Sequence, residues 1–74
     1  MEIVESSASA AEIHAHLDRL LLEWRQAESA GLGPLGPYML DLAAEIAVCR
    51  LTFVAAAVSE IARLRAELSG IQVG

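Results

Sequence analysis

Cysteine is nearly absent from this 74-residue chain, which contains only Cys49. A single cysteine forms no disulfide within its own chain, so the sequence lacks the crosslinks that stabilise many small secreted domains. The run from Met1 to Glu5 is acidic, and it lacks the basic start and the apolar core of a secretory signal. We therefore predict a reducing, cytoplasmic location.

Basic residues are also scarce. The chain has five Lys and Arg against ten Asp and Glu, and its formal net charge is −5. The basic residues are scattered along the chain, whereas binding of nucleic-acid phosphates needs clustered Lys and Arg. We therefore predict no nucleic-acid partner.

Residue patterns for catalysis or metal binding are missing. His14 and His16 are the only histidines, and two residues apart on a helix they point to nearly opposite sides. His14 and Asp18 share a helix face, but two ligands are fewer than zinc usually takes, so we interpret them as a solvated pair. Cys49 has no histidine near it in sequence and is expected to be a small, semi-buried residue at the edge of a polar face. We predict no catalytic residue, no cofactor and no metal.

Acidic residues of the second half of the chain could in principle form a carboxylate metal bundle. The candidates are Asp41, Glu45, Glu60 and Glu67. The Glu-x-x-His signature of such sites is missing, so we interpret these acids as the solvated face of a helix.

Glycine and proline are concentrated in one short segment. Gly31 to Gly36 spells G-x-G-x-x-G, but in dinucleotide-binding folds this pattern follows a strand, whereas here a helical pattern precedes it. We interpret the segment as a turn of about residues 31–36. Gly31 or Gly33 is expected to end the first helix in a left-handed cap, and Pro37 to lie in the first turn of the second helix.

The first helix is predicted over about residues 10–30. Ser9 and Glu12 match the capping box, in which each side chain accepts a hydrogen bond from the other residue's backbone amide. Apolar residues then recur at alternating steps of four and three, the spacing that packs one helix against another. This stripe comprises Ile13, Leu17, Leu20, Trp24 and Ala27. Leu22 lies nearly opposite and is expected to be exposed in an isolated hairpin.

The second helix is predicted over about residues 37–69, where Ser69 and Gly70 are expected to end it and leave a short C-terminal tail. It carries two neighbouring apolar stripes. The first comprises Met39, Ala43, Ile46, Arg50, Phe53, Ala57, Ile61, Leu64 and Leu68. The second comprises Leu40, Ala47, Leu51, Val54 and Val58. Because this apolar arc is too wide for one partner helix, we expect the second helix to contact two neighbours, as in a four-helix bundle.

Arg50 places a charge in the middle of the first stripe. A buried, unpaired guanidinium would be very costly, so Arg50 is expected to pair with Glu23, Glu28 or a carboxylate of a second subunit, or to reach solvent. Three hypotheses stay open. In the first, Arg50 fixes register and partner choice. In the second, its stem lies at a boundary while its head is solvated. In the third, it binds an anion in a pocket of the bundle.

A membrane-spanning interpretation of the second helix also follows from its length and apolar composition. Four charged residues interrupt the segment from Tyr38 to Ala62, and a central charge costs roughly 2.5–3.5 kcal/mol in a bilayer. We therefore predict no membrane association.

Apolar residues are abundant: the chain is 55% hydrophobic although it has only three aromatic residues. A chain this short buries only about 60% of the surface that it exposes when unfolded, so an apolar excess favours oligomerisation. The second helix, at about 45 Å, would also outreach the first, at about 30 Å. We predict a single all-α domain, an antiparallel two-helix hairpin that assembles into a homodimeric four-helix bundle, with a tetramer as the alternative.

The function predicted from this architecture is that of a small non-catalytic protein–protein interaction and oligomerisation module, a scaffold or regulatory subunit. It would act through self-association and through docking to a larger protein partner. The alternative is a small ligand-binding or enzymatic helical bundle with a pocket at the subunit interface around Arg50. The predicted interface comprises Leu17, Leu20, Leu22, Trp24, Ile46, Arg50, Phe53, Val54, Ala57, Ile61, Leu64 and Leu68.

Overall fold

Two α-helices account for most of the structure, a computed structural model that describes residues 8–73 and the side chains of residues 8–70. Helix α1 spans Ala10–Ser29 and helix α2 spans Pro37–Val73. The helices pack against each other in antiparallel directions, since the start of α1 contacts Glu60 and its last turns contact Tyr38. No strand occurs within residues 8–73. The prediction of an all-α chain with two packed helices is confirmed, and the homodimeric four-helix bundle stays a prediction.

Helix α1 begins at the predicted capping box. The Ser9 hydroxyl accepts a hydrogen bond from the Glu12 amide at 3.1 Å, and the Glu12 carboxylate accepts one from the Ser9 amide at 2.9 Å. Ser9 itself has extended backbone angles, as an N-cap residue requires. Two of the free amides at the helix start are thereby satisfied, so the helix begins at Ala10 as predicted.

Of the two glycines predicted to end α1, Gly31 is the one in the left-handed conformation. Gly31 has a φ of +95°, a left-handed conformation that glycine adopts without steric cost. Its amide donates to the Glu28 carbonyl at 2.9 Å, and the Leu32 amide donates to the Ala27 carbonyl at 3.1 Å. This pair of bonds is a Schellman motif. Pro37 is the first residue of α2, where its missing amide hydrogen costs nothing.

The core lies between the helices and is small. Met39 is fully buried. The other buried side chains of this cluster are Leu17 and Leu20 from α1, and Leu42, Ile46 and Cys49 from α2. Partly buried residues of α1 pack around them, namely Ile13, Leu21, Trp24 and Ala27. The predicted stripe of α1 therefore faces α2, as expected from its spacing.

The face that α2 presents to α1 differs from the first predicted stripe. Leu42 and Cys49 occupy the buried positions, whereas Ala43 and Arg50 are exposed. Cys49, expected to be a small semi-buried residue at the edge of the polar face, is buried in the core instead. The first predicted stripe and the buried row of Leu42, Ile46 and Cys49 both have helical spacing. The buried row is apolar at every position, and it leaves the Arg50 guanidinium in water. Burial of an ion that has no partner costs several kcal/mol, which favours the observed rotation of α2.

Helix α2 is longer at its C-terminal end than predicted. It continues through Ser69 and Gly70 to Val73, where the sequence indicated an end at about residue 69 and a short tail. One glycine in a helix interior costs about 1 kcal/mol, which weakens a helix without ending it. Met1 to Ser7 lie outside the described residues.

Candidate functional site

The face of α2 that is turned away from α1 is apolar and uncovered. Leu51 is 73% exposed, and Leu40, Val54 and Val58 are each more than half exposed. These residues belong to a longer row whose steps alternate strictly between four and three. We call this row the outer stripe, and it comprises Leu40, Ala44, Ala47, Leu51, Val54, Val58, Ile61, Arg65 and Leu68.

The outer stripe has the geometry of a helix-packing seam. Alternating steps of four and three are those of heptad core positions, into which a second helix places its side chains. At about 100° per residue, the stripe lies on average about 135° around the α2 axis from the buried row of Leu42, Ile46 and Cys49. Helix α1 therefore covers one side of α2 and leaves the seam on the other side open.

The C-terminal part of α2 extends beyond α1. Glu60 marks the limit, because its carboxylate accepts a hydrogen bond from the Ala10 amide at 2.7 Å. This contact satisfies a free amide at the α1 N-terminus and places a negative charge at the positive end of the helix dipole. Beyond Glu60, every residue from 61 to 70 is exposed, including Ile61, Leu64 and Leu68.

Glu60 was expected on the solvated face of α2, but it is half-buried and caps α1. The contact joins residues fifty positions apart. No local pattern signals it, because it depends on the register of the whole hairpin.

Arg50 lies at the border of the outer stripe and is exposed. Together with Trp24 it lines a shallow groove between the helices, whose other walls are Leu21, Ala43, Ile46 and Ala47. Within residues 8–70, Arg50 forms no ion pair, so the predicted pairing with Glu23 or Glu28 is not observed. The solvated-head hypothesis describes its position best.

Glu23 has a different partner from the predicted one. The Tyr38 hydroxyl donates a hydrogen bond to the Glu23 carboxylate and so ties the start of α2 to α1. The carboxylate stabilises the protonated phenol and raises the pKa of Tyr38, with smaller contributions from desolvation and from the negative charges of Glu23 and Glu45.

The predicted interface residues fall into three groups by burial. Those buried inside the hairpin are Leu17, Leu20 and Ile46. Those half-buried at its edges are Trp24, Phe53 and Ala57. Those exposed are Leu22, Arg50, Val54, Ile61, Leu64 and Leu68. The first group is occupied by the contact between α1 and α2, so only the exposed group is free to meet another molecule.

Residues that could carry chemistry are engaged in structural contacts. The Cys49 thiol is buried and donates to the Ile13 carbonyl at 3.6 Å. His14 lies 3.3 Å from the Asp18 carboxylate, as predicted for this pair, and its ring meets Phe53 edge to face. In the described part of the chain, no group of three or more His, Cys, Asp and Glu is placed to hold a metal ion.

No protein family model, no curated protein and no solved structure matches this chain.

By length and composition, α2 also meets the criteria for a membrane-spanning helix. The span Pro37–Gly70 contains an 18-residue window with a mean hydropathy of 1.7, of which 17% is buried inside the hairpin. The core helix of a soluble protein passes the same test when it is mostly buried, and here most of the window is uncovered. Helix α1 therefore covers only a small part of this apolar window.

Proposed function

We propose that this chain is a small non-catalytic interaction module that self-associates through α2 and docks to a larger protein partner. The observation that carries the proposal is the outer stripe, a continuous helix-packing seam that α1 leaves open. Soluble monomers rarely expose contiguous apolar patches larger than a few hundred Å², and larger patches mark interaction sites.

The simplest cover for the outer stripe is a second copy of the same chain. Two α2 helices would then pack at the centre of a homodimer, each with its own α1 on the outside. Burial of Leu51, Val54 and Val58 supplies affinity, since each fully buried side chain of this kind contributes roughly 1.5–3 kcal/mol. Arg50 and Asp41 adjoin stripe residues and supply selectivity, because unpaired charges disfavour wrong partners.

Docking to a larger protein is supported by apolar side chains outside the outer stripe. Leu22 on α1 and Leu64 on α2 are each about half exposed, and Leu35 in the turn is 81% exposed. A seam made by two α2 helices leaves Leu22 free, because it lies on the far side of the hairpin. Leu22 and Leu35 are the positions proposed for contact with the larger partner, whereas Leu64 lies towards the opposite end of the hairpin.

The experiment that tests self-association compares two glutamate substitutions by light scattering and circular dichroism. Leu51→Glu places a charge at the centre of the outer stripe, and we expect it to convert a dimer into a monomer. Ala66→Glu adds the same charge at an exposed position of α2 outside the stripe and is the matched control, with an expected mass equal to that of the wild-type chain.

Two results would contradict the proposal. One is that both variants keep the wild-type mass, which would show that the outer stripe is not the contact. The other is co-flotation of the wild-type chain with phosphatidylcholine vesicles, which would show that a bilayer covers the stripe.

A further inference from the structure

Side-chain size and charge vary along the outer stripe, and this variation affects how a second copy would bind. Its N-terminal half contains the small residues Ala44 and Ala47, whereas its C-terminal half contains the larger Val58 and Ile61. It contains one charged residue, Arg65, near its C-terminal end. A partner helix must match both features.

A parallel partner helix in register would match neither the change in side-chain size along the stripe nor the charge at Arg65. Every core layer would then hold the same residue twice, so Ala44 would face another Ala44 and Ile61 another Ile61. Seam width depends on side-chain size, and such a seam would be loose at one end and crowded at the other. Two Arg65 guanidiniums would also share one layer, where like charges repel and lose hydration.

An antiparallel partner helix matches both the side-chain sizes and the charge. With the two-fold axis between Leu51 and Val54, those two residues share the central layers. Ala47 then faces Val58 of the second copy and Ala44 faces its Ile61, so that small residues meet large ones along the seam. The seam width is therefore even, as close packing requires.

The antiparallel arrangement also gives Arg65 a partner. Arg65 falls opposite Leu40 of the second copy. Asp41 of that copy follows Leu40 directly and lies at the edge of the seam, beside the layer that Arg65 and Leu40 form. The arginine stem packs on the leucine while the guanidinium reaches the carboxylate. The start of α2 carries Asp41 and Glu45 without a basic residue, whereas its later turns carry Arg63 and Arg65 together with Glu60 and Glu67. Of these four later charges only Arg65 lies on the outer stripe, so opposed directions bring it near Asp41, and they also align the helix dipoles favourably.

The overhang of α2 is covered in the same arrangement. Ile61 and Leu68 lie beyond Glu60 and are exposed. In an antiparallel pair, they fall over the first turns of α2 in the second copy, with Leu68 beside Pro37. Helix α1 obstructs none of these contacts, because it lies on the opposite side of α2.

We infer that the outer stripe binds a second copy of this chain in antiparallel orientation, with Arg65 of each copy beside Asp41 of the other. The inference rests on the proposed self-association and adds its direction, its register and its charge pair. One Arg65–Asp41 pair then lies near each end of the dimer seam.

Direction and register are tested by disulfide formation in a Cys49→Ala background. Ala47→Cys and Val58→Cys chains, distinguished by an affinity tag, are oxidised separately and as a mixture, and their helicity is compared with that of the wild-type chain. We expect the mixture to give a mixed disulfide and neither chain alone to crosslink, since equal positions lie about 16 Å apart along the antiparallel seam.

The charge pair is tested in the chain that retains Cys49. Arg65→Asp alone and Asp41→Arg alone should each raise the dimer Kd by about tenfold or more, because each creates two like-charge contacts per dimer. The double reversal should restore the wild-type Kd to within about threefold, since it exchanges the charges of each pair.

The outcomes separate this inference from the proposed function. A dimer in which Ala47→Cys crosslinks with itself would overturn the antiparallel orientation and leave self-association standing. A dimer that gives no mixed disulfide, or a double reversal as weak as the single ones, would overturn the register or the charge pair. A monomeric wild-type chain would overturn the proposed function and this inference together.

Discussion

Two polar side chains tie the helices of the hairpin together: the Glu60 carboxylate accepts from the Ala10 amide, and the Glu23 carboxylate accepts from the Tyr38 hydroxyl. Arg50 stands out in the sequence because it interrupts an apolar row, yet the structure places it in solvent. Glu60 resembles any surface acid in the sequence, yet it caps α1. The capping box at Ser9 was predictable because its two partners lie three residues apart. Contacts between distant residues depend on hairpin register, which local spacing does not determine.

The contribution of Glu60 to stability can be measured by substitution. Glu60→Ala removes the acceptor of the Ala10 amide and the charge at the start of α1, and we expect it to lower the free energy of unfolding by about 1 kcal/mol. Glu67→Ala is the control, because Glu67 lies on the same helix and is exposed beyond α1. Urea unfolding followed by circular dichroism at one fixed protein concentration measures both. Equal effects of the two substitutions would show that the capping contact adds no stability.

At the scale of the helices, boundaries with a local cause were predicted well. The capping box, the glycine-rich turn and Pro37 fix three of the four helix ends, and their predicted positions agree with the structure to within about a residue. The rotation of α2 was predicted poorly. Its two overlapping apolar rows both satisfy helical spacing, and the choice between them is made by packing against α1. The same ambiguity left Leu42 out of the predicted core, although it is buried.

The outer stripe was partly visible in the sequence. Leu40, Ala47, Leu51, Val54 and Val58 were assigned to a second contact, and the structure leaves all five exposed. Arg65 was missed. The signal that could have identified it is the strict heptad spacing, which continues from Val58 through Ile61 to Arg65 once the burial of the other row is known.

Alanine substitutions of the two glycines near the helix ends test the backbone conformation at each site. Gly70 lies within α2 and a methyl group there meets nothing within 4 Å, so Gly70→Ala should stabilise the helix by roughly 0.5–1 kcal/mol and raise the helicity. Gly31→Ala should destabilise the hairpin by roughly 1–2 kcal/mol, because φ is +95° at that position.

Thermal unfolding followed by circular dichroism at a fixed protein concentration measures both glycine variants. The same chemical change is expected to have opposite signs at the two sites. Two destabilising effects would contradict the continuation of α2 through Gly70, whereas two stabilising effects would contradict the left-handed cap at Gly31.

At the scale of the whole molecule, the hairpin buries too little to explain its own composition. Six side chains form the core, whereas the uncovered face of α2 presents a comparable number of large apolar residues to solvent. Small domains with one modest core are marginally stable and commonly gain stability through oligomerisation. Folding and association of this chain are therefore expected to be coupled, so that its melting temperature rises with protein concentration.

Self-association through the outer stripe is tested most directly by the absolute mass of the wild-type chain, measured by light scattering over a wide concentration range with helicity recorded in parallel. We expect a helical species of twice 7.9 kDa that dissociates only on dilution. A helical, well-folded monomer at every concentration would contradict self-association, because the outer stripe would then be stable in water without a second copy.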